Sequence, residues 1–279
     1  MTFLEQNADR LVFVLYAALI FIPLEHILPR RKEQKLLRAD LGMDIAYMLL
    51  GGLGTKLAAT VFITLIVILL GAQVPEAAKS FTGAQPIWLQ VIALIVIGDL
   101  YYYWAHRLFH TVPALWKFHA VHHSIEHMDW IAAHRTHPLD TAITNSGFVI
   151  IAILLDFSAA AVLIFTVQFS IHSLLKHSNV GVGWGSLRWI YVTPTFHHWH
   201  HANVKEAYDK NFAAQFPAWD ILFGTALMTE KNGPPRYGVD DPVPPTFLGS
   251  LLYPFRPHQA AAPECPNTGE AALERSVSD

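Results

Sequence analysis

Long apolar stretches separated by short polar connections dominate this sequence, and they determine its fold class. Residues 11–29, 41–74 and 86–103 are each apolar over a length that can cross a bilayer, which takes about 20 helical residues. A fourth apolar stretch, residues 141–175, is interrupted by Asp156 near its centre, which predicts two short helices in a shallow hairpin. Backbone polar groups in lipid must be paired within helices or closed barrels. We therefore expect an all-α integral membrane helical bundle of about three full spans plus this hairpin.

The composition supports this expectation and excludes several classes of function. Of the 279 residues, 53% are hydrophobic and 15% are charged, which is too apolar for an ordinary soluble domain. A formal net charge of -3 offers no basic stripe for phosphates, so no nucleic-acid partner is expected. Cys265 is the only cysteine, which excludes a disulfide framework, a cysteine zinc site and a cysteine-ligated iron–sulfur cluster.

The distribution of basic residues predicts the orientation in the membrane. The first connection contains five of them: Arg30, Arg31, Lys32, Lys35 and Arg38. The next connection, residues 72–85, carries only Lys79. By the positive-inside rule the first connection is cytoplasmic. Counting spans from there places the histidine-rich segments, in a cytosolic-side helical cap, on the cytoplasmic face as well.

Histidine is concentrated in one region of the chain. Fourteen of the 16 histidines lie between His106 and His201. They recur at helical spacing, because His106 and His110 are four residues apart and the pattern His-x-x-His-His occurs at 119–123 and again at 197–201. Residues at i, i+3 and i+4 share one face of a helix. Each of these three segments therefore presents its imidazoles together.

A dimetal centre accounts for the set as a whole, although a lone histidine is more often a surface or hydrogen-bonded core residue. Eight imidazoles in repeated register would repel one another if protonated. If neutral, they would bury polar nitrogens at a cost, unless cations share their lone pairs. Imidazole suits iron, copper, nickel and zinc, whereas magnesium and calcium prefer oxygen. One tetrahedral zinc takes four ligands, so eight histidines predict two metal ions. Two clustered metals in a membrane indicate redox chemistry.

Asp99 is a carboxylate inside a predicted span, where it costs roughly 3 kcal/mol on insertion scales. Asp99, Tyr103, His106 and His110 follow the i, i+4, i+7, i+11 spacing of one helical stripe. The carboxylate is therefore predicted to orient a ligand imidazole from beside the metal site. The alternative is a hydrogen bond to a Tyr or Trp of a neighbouring helix.

Six sequence blocks in this order carry a family resemblance. They are Asp-Leu-Tyr-Tyr-Tyr-Trp-Ala-His-Arg-Leu-Phe-His at 99–110, His-x-x-His-His at 119–123, Arg-Thr-His-Pro-Leu-Asp at 135–140, His-Ser-Asn at 177–179, His-x-x-His-His at 197–201 and Trp-Asp-Ile-Leu-Phe-Gly-Thr at 219–225. Together they resemble the fatty acid hydroxylase and sterol desaturase superfamily of membrane di-iron proteins. The resemblance divides the chain into N-terminal membrane helices with the basic connection (1–89), a catalytic region (90–228), and a C-terminal tail (229–279) that we expect to be irregular and finally disordered.

The resemblance implies metal-ligand roles by position. It does so first for eight histidines: His106, His110, His119, His122, His123, His197, His200 and His201. His177 matches a further histidine of the family pattern, whereas the pattern leaves open whether His172 and His137 bind metal. His134 is expected to lie beside the ligands or to be structural. His198 fills the variable position of its block and is expected to be a bystander.

The resemblance also implies an activity. The chain would hold two iron ions and use O2 to hydroxylate or desaturate a lipid-like substrate such as a sterol, a fatty acyl lipid, an alkylglycerol or a carotenoid. An external electron donor is expected, either a reductase, a ferredoxin or a cytochrome-like protein. The reason is that the chain has no Rossmann glycine motif, no haem-attachment motif and no iron–sulfur cysteines.

Two other classes of protein remain as alternatives. A zinc-dependent membrane hydrolase would need a carboxylate base beside an open metal site, and the chain contains no His-Glu-x-x-His. A histidine-rich metal transporter would set its polar ligands near the bilayer midplane. The histidine segments here instead flank the predicted spans at one interface.

Overall fold

The computed structural model describes residues 3–229 and 233–257, and in this part of the chain the regular elements are helical, with no β-strand. The α-helices are α1 (Phe3–Ile27), α2 (Leu41–Ala46), α3 (Gly52–Leu70), α4 (Glu76–Gly83), α5 (Ile87–Thr111), α6 (Pro113–His123), α7 (Pro138–Leu154), α8 (Ala159–His177), α9 (Pro194–His200), α10 (Ala218–Leu222) and α11 (Phe247–Leu252). The prediction of an all-α fold is confirmed.

Three of these helical segments are long and apolar enough to cross a membrane. They are Leu41–Gln73, in which α2 and α3 are joined by a π-helical turn, then α5 and α8. The first two correspond to the predicted second and third spans. The apolar part of α1, Leu11–Ile27, is shorter. The third candidate span is therefore α8, one arm of the predicted hairpin, and not α1.

The α7–α8 hairpin forms as predicted but reaches further than a shallow hairpin would. Its helices contain 17 and 19 residues, and the turn between them holds Asp156 at a φ of 58°. At the turn, the Ser158 N–H donates to Oε1 of Gln90, in the first turn of α5, at 2.8 Å. At the other end of α8, Lys176 lies over the ring of Tyr102. The hairpin runs along most of the length of α5, and it is therefore not shallow.

Close packing holds α5 against the hairpin, while the outer helix faces are apolar and exposed. A Cβ added to Gly147 of α7 would come within 1.9 Å of the Tyr101 ring, so only glycine permits this approach. The Tyr101 hydroxyl donates to the Ile143 carbonyl at 2.9 Å. On α3, by contrast, Leu57 and Leu65 are 69% and 55% exposed. These outward-facing apolar side chains are suited to contact lipid.

A buried ion network ties the basic connection to the rest of the fold. Arg38 donates to Asp44 at 2.6 Å and to Asp129 at 2.7 Å, and Arg135 also pairs with Asp44. All four side chains are buried. Breaking one partner of such a network leaves an uncompensated buried charge. The network therefore fixes α2 against the loop that follows α6.

Other residues of the basic connection contact the cap formed by α9 and its flanking loops. Arg30 donates to Oγ1 of Thr195 at 2.8 Å. The Arg31 guanidinium lies 4.1 Å from the centre of the Tyr237 ring. The basic connection and the segment 197–201 are therefore at the same end of the helical bundle.

The C-terminal segment 233–257 packs on the cap and is less irregular than predicted, because it contains α11. The Tyr47 hydroxyl, in the π-helical turn, is 2.8 Å from the Ser250 hydroxyl of α11. The Tyr253 hydroxyl donates to Asp241 at 3.3 Å. The disorder predicted for the end of the tail concerns residues 258–279, which lie outside the described residues.

Candidate metal centre

Local sequence starts the two short histidine helices at defined points. Both α6 and α9 have proline at their first position, where the missing N–H costs no helical hydrogen bond. The Thr193 hydroxyl caps α9 by accepting the N–H of Phe196 at 3.2 Å. Since α6 has 11 residues and α9 has seven, the His-x-x-His-His pattern occupies the last turns of each helix and aims its imidazoles at the same space.

Five histidines from three helices form one group. They are His106 and His110 of α5, His119 and His123 of α6, and His200 of α9, and one ring nitrogen from each lies within 4.8 Å of all the others. Nε2 of His106 is 2.9 Å from Nε2 of His119, and Nε2 of His123 is 3.0 Å from Nε2 of His200. Nε2 of His110 is buried, with no hydrogen-bond partner among the described residues. We call this set the five-histidine group.

Four further histidines form a second group with the same close spacing. They are His122 of α6, His177 at the end of α8, His197 of α9 and His201 directly after α9. Nε2 of His177 lies 3.2 Å from Nε2 of His122 and 2.9 Å from Nε2 of His197. Nε2 of His201 lies 3.2 Å from Nε2 of His197. We call this set the four-histidine group.

The two groups are neighbours because α6 and α9 contribute to both. The ring of His123 in the first group stacks on the ring of His201 in the second, with centroids 4.4 Å apart and an interplanar angle of 19°. The rings of His197 and His200 stack at 5.3 Å. A pair of metal ions bound by the two groups would therefore share one compact site.

Hydrogen bonds to Nδ1 determine where the lone pairs point. In five of these histidines Nδ1 faces an oxygen: His106 the Phe212 carbonyl (2.7 Å), His119 the Asp140 carboxylate (2.7 Å), His122 the Arg135 carbonyl (2.9 Å), His177 the Ser173 carbonyl (2.7 Å) and His200 the Lys210 carbonyl (2.8 Å). Such oxygens only accept, so Nδ1 carries the proton and the neutral ring keeps its lone pair on Nε2. Nε2 lone pairs that face each other at about 3 Å repel unless a cation lies between them.

Burial also favours the neutral form of five of these imidazoles, the form that metal coordination requires. Burial lowers the pKa of His122 to about 3. Burial likewise lowers the pKa values of His123, His197, His200 and His201 well below the ordinary value, and neighbouring imidazoles lower them further. Neutral rings with converging Nε2 lone pairs fit two bound transition-metal ions.

Comparison with known proteins places the chain in a family. The fatty acid hydroxylase family model matches residues 91–225. An ornithine lipid hydroxylase from Rhizobium tropici is 30% identical over 236 residues, which cover 83% of this chain and 71% of the relative. The chain belongs to the fatty acid hydroxylase family. This membership confirms the superfamily that the six blocks indicated.

Further relatives of this fatty acid hydroxylase family chain are also lipid-oxidising enzymes by name. Human alkylglycerol monooxygenase is 32% identical over 152 residues, or 52% of this chain and 32% of the relative. Rat methylsterol monooxygenase 1 is 31% identical over 157 residues, or 53% of this chain and 52% of the relative. No solved structure matches the chain. The prediction of a membrane lipid oxidoreductase is confirmed at this level, and the histidine groups fit a metal-dependent oxygenase.

The structure brings together nine of the histidines that the family blocks indicated, and it leaves two outside the groups. His172 donates through Nε2 to the Val192 carbonyl at 2.7 Å and stacks on Tyr191. His137 accepts the Leu139 N–H through Nδ1, as the N-cap of α7, and contacts the Leu251 carbonyl through Nε2. Both rings are therefore engaged with backbone groups away from the nine.

Asp99 does not contact an imidazole, so the predicted orienting role is corrected. Its carboxylate accepts the backbone N–H groups of Ala214, Gln215 and Phe216 at 2.8–2.9 Å. The tyrosine or tryptophan partner considered as an alternative is not seen either. Asp99 instead holds segment 212–216 against α5, and the Phe212 carbonyl in this segment accepts the N–H of His106. The carboxylate is thus linked to His106 through the backbone of segment 212–216.

The carboxylate that does contact a histidine of the groups is Asp140, in the first turn of α7. Its Oδ2 lies 2.7 Å from Nδ1 of His119, and both side chains are buried. A carboxylate on the far nitrogen of a ligand imidazole fixes its tautomer and raises its basicity. The sequence signal was the Arg-Thr-His-Pro-Leu-Asp block, in which the aspartate, and not His137, points to the groups.

A cavity of about 390 Å³ opens beside the groups, among α1, α3, α7 and α8. His119, His122 and His177 form its inner wall, and His134 also lines it. Its other polar lining, apart from two tyrosines, comes from ten side chains: Thr55, Lys56, Thr136, Asp140, Thr141, Thr144, Asn145, Ser170, Ser173 and Lys176. We call it the membrane-side cavity. It brings a bound molecule to both groups from between the apolar helices.

A second cavity, of about 440 Å³, reaches the five-histidine group from the cap side. His110, His123 and His200 line its floor, and Asp209 lies at its edge, where Oδ1 is 3.8 Å from Nδ1 of His110. The five-histidine group is therefore approached from two sides, by one cavity within the helical bundle and one within the cap.

Proposed function

We propose that this chain is an O2-dependent di-iron hydroxylase or desaturase that acts on an amphipathic lipid. The observation that carries the proposal is the convergence of nine imidazoles in two adjacent groups, in which the Nε2 atoms of facing rings lie about 3 Å apart. The lipid-oxidising relatives support redox chemistry over hydrolysis or transport.

The five-histidine group would hold one ion and the four-histidine group the other. All the donor atoms are imidazole nitrogens, which favour iron, copper, nickel or zinc over magnesium and calcium. Among these, iron fits an oxygen-dependent lipid oxidation in this family. When bound, a pair of iron ions supplies the redox chemistry needed to oxidise an unactivated C–H bond with O2.

The chain's own residues position the ligands and the substrate. Asp140 and the carbonyls that accept Nδ1 protons fix the imidazole orientation before any metal binds. A lipid bound in the membrane-side cavity would lie against His119, His122 and His177. The surrounding apolar helices limit the access of water, and correct placement of the reacting bond reduces the entropic part of the barrier.

The orientation and the electron supply are part of the same proposal. The basic connection contacts the cap through Arg30 and Arg31, and together with the positive-inside rule these contacts support a cytoplasmic position for the cap and the histidine groups. Electrons would come from a separate reductase, ferredoxin or cytochrome-like protein on that side. The second cavity opens from the cap to the five-histidine group and would lie between that group and the electron donor.

The test compares lipid extracts from cells that express the intact chain, His122→Ala or His198→Gln, grown with and without O2. His198 is a matched control, because it lies in α9 between two members of the groups but contacts the Tyr237 hydroxyl at 2.7 Å. We expect an oxidised lipid that depends on O2 and on His122 but not on His198.

Metal analysis of the purified protein completes this test, with about two iron ions per chain as the expected content. A lipid change that persists without O2 would indicate a hydrolase. Accumulation of metal without any lipid change would indicate a transporter. Either result would contradict the oxygenase assignment.

A further inference from the structure

The charged side chains that line the membrane-side cavity do not balance. They are Lys56, Asp140 and Lys176. Asp140 is already bound to His119 at 2.7 Å. The cavity therefore presents an excess of positive charge to a molecule that enters it, inside a protein whose outer helix faces are apolar.

Lys176 is the side chain that most requires a partner. It is 3% exposed, and it lies in the last turn of α8, directly before His177. Its Nζ lies 5.2 Å from the centre of the Tyr102 ring. Among the described residues no oxygen accepts a hydrogen bond from this ammonium, although burying an ammonium without such partners is costly.

Asp99 does not supply the missing partner. Among the described residues, Asp99 is the acidic side chain whose charge acts on the Lys176 ammonium. Its two oxygens, however, accept three backbone N–H groups from residues 214–216. No ion pair joins Asp99 to Lys176 in the described part of the chain. The ammonium is therefore left facing the cavity, where a bound molecule can reach it.

The position of Lys176 relates this charge to the metal centre. The Tyr102 ring that it contacts is 5.2 Å from the ring of His106, a member of the five-histidine group. His177, the next residue, belongs to the four-histidine group and lines the same cavity. A group bound to Lys176 would thus lie about one aromatic ring away from the five-histidine group and beside His177 of the four-histidine group.

We propose that Lys176 binds an anionic group, a carboxylate or a phosphate, in the headgroup of the lipid substrate, and so places a carbon near that headgroup at the metal centre. The threonine, asparagine and serine side chains around the cavity provide further hydrogen bonds for a polar headgroup. The inference rests on the proposed function, because it names the substrate class of the same site.

The reaction proposed at this position is a hydroxylation. A C–H bond near the headgroup becomes C–OH with one oxygen atom of O2. The second oxygen atom leaves as water, with two electrons from the external donor and two protons from solvent. The acyl chain lies further out, between the apolar helices.

The first experiment measures lipid binding to the purified full chain in neutral detergent. The probes are N-oleoylglycine and oleoyl lysophosphatidic acid, each compared with a neutral counterpart, N-oleoylglycine methyl ester and monooleoylglycerol. We expect one or both acidic lipids to bind about tenfold more tightly than their neutral counterparts, since a charge-assisted hydrogen bond is stronger than a neutral one. Equal binding of acidic and neutral lipids would overturn the proposal.

Variants assign this preference to one side chain. Lys176→Met should remove the preference, Lys176→Arg should keep part of it, and Lys205→Met, at an exposed lysine of the cap, should leave it unchanged. An unchanged iron content shows that each variant is folded. A Lys176→Met protein that still prefers the acidic lipids would contradict the proposal. So would binding of acetate or inorganic phosphate as tightly as the acidic lipids, because the site would then recognise small free anions.

The second experiment locates the new oxygen atom in the product by tandem mass spectrometry. We expect it in the headgroup or on the carbons next to it, and an oxygen near the methyl end of the acyl chain would overturn the placement. Charge-selective binding without any oxidised product would leave Lys176 as the headgroup site and would count against the proposed function alone.

Discussion

Oδ2 of Asp140 lies 2.7 Å from Nδ1 of His119, and both side chains are buried. This contact directs the Nε2 lone pair of His119 towards Nε2 of His106. One carboxylate thereby connects the start of α7 to the five-histidine group, while the same aspartate lines the membrane-side cavity.

Asp140→Asn should weaken iron binding by about ten- to hundredfold, the usual cost of losing such a partner of a ligand histidine. The amide keeps the size of the side chain but loses the negative charge that stabilises the His119 N–H. Asp156→Asn is the matched control, because the hairpin turn holds Asp156 at a φ of 58°, which asparagine tolerates. Iron titration of metal-free protein provides the measurement. Equal affinities of Asp140→Asn and the native chain would refute the assigned role.

His197→Gln should lose bound iron, whereas His198→Gln should keep it. The two residues are adjacent in α9, but Nε2 of His197 faces Nε2 of His177, while Nδ1 of His198 contacts the Tyr237 hydroxyl. Iron per chain, measured by mass spectrometry after purification, should fall from about two to one or less only for His197→Gln. Loss of iron in both variants to the same extent would contradict the assignment of His197, but not His198, to the four-histidine group.

The stability of the metal-free protein should fall as the pH falls below about 6.5, the ordinary pKa of histidine in an unfolded chain. Burial lowers the pKa of folded His122 to about 3, so between these values the unfolded state binds a proton that the folded state does not. Each such histidine lowers the unfolding free energy by up to about 1.4 kcal/mol per pH unit. Thermal unfolding of chelator-treated protein at pH 7.5, 6.5 and 5.5 measures this slope. A midpoint that rises over this range of falling pH would disprove it.

Asp99→Asn should destabilise the fold by about 1–3 kcal/mol, because backbone N–H groups of segment 214–216 lose their charged acceptor inside the protein. It should also loosen the Phe212 carbonyl that orients His106. Asp209→Asn serves as control, since its side chain is 63% exposed. Thermal unfolding midpoints of the iron-loaded proteins give the comparison, and equal midpoints for the two variants would exclude this role.

Cysteine labelling tests the orientation. In a Cys265→Ser background, Lys205→Cys lies on the cap and Glu76→Cys lies on α4, which precedes α5 at the other end of the bundle. The side chain of Glu76 is 83% exposed. A membrane-impermeant maleimide applied to intact cells should label only Glu76→Cys, and Lys205→Cys should react after lysis. The reverse pattern would place the histidine groups outside the cytoplasm.

Much of the centre could be predicted because its signals are local. The i, i+3 and i+4 spacing in α5, α6 and α9 determines which imidazoles share a face, whatever the tertiary structure. The same rule explains why only one of the two α8 histidines belongs to a group. His172 and His177 are five residues apart, or roughly 140° around a helix, so they face different neighbours.

The features that were predicted wrongly depend on contacts between residues that are far apart in the sequence. Asp99 meets residues 214–216 more than a hundred positions later, and no local pattern marks that segment as its partner. The helical stripe from Asp99 to His110 correctly predicted a shared face but not the contact made there. Likewise, the polar residue at Asp156 predicted a turn, whereas the reach of the hairpin follows from helix lengths and from the Gln90 contact.

The shared use of α6 and α9 has a consequence for how the protein fills with metal. The neighbours His122 and His123 serve different groups, as do His200 and His201. An ion that immobilised either helix would pre-arrange ligands for a second ion, so we expect the second ion to bind more tightly than the first. In a cell short of iron, most molecules would then hold either two iron ions or none, and few would hold one.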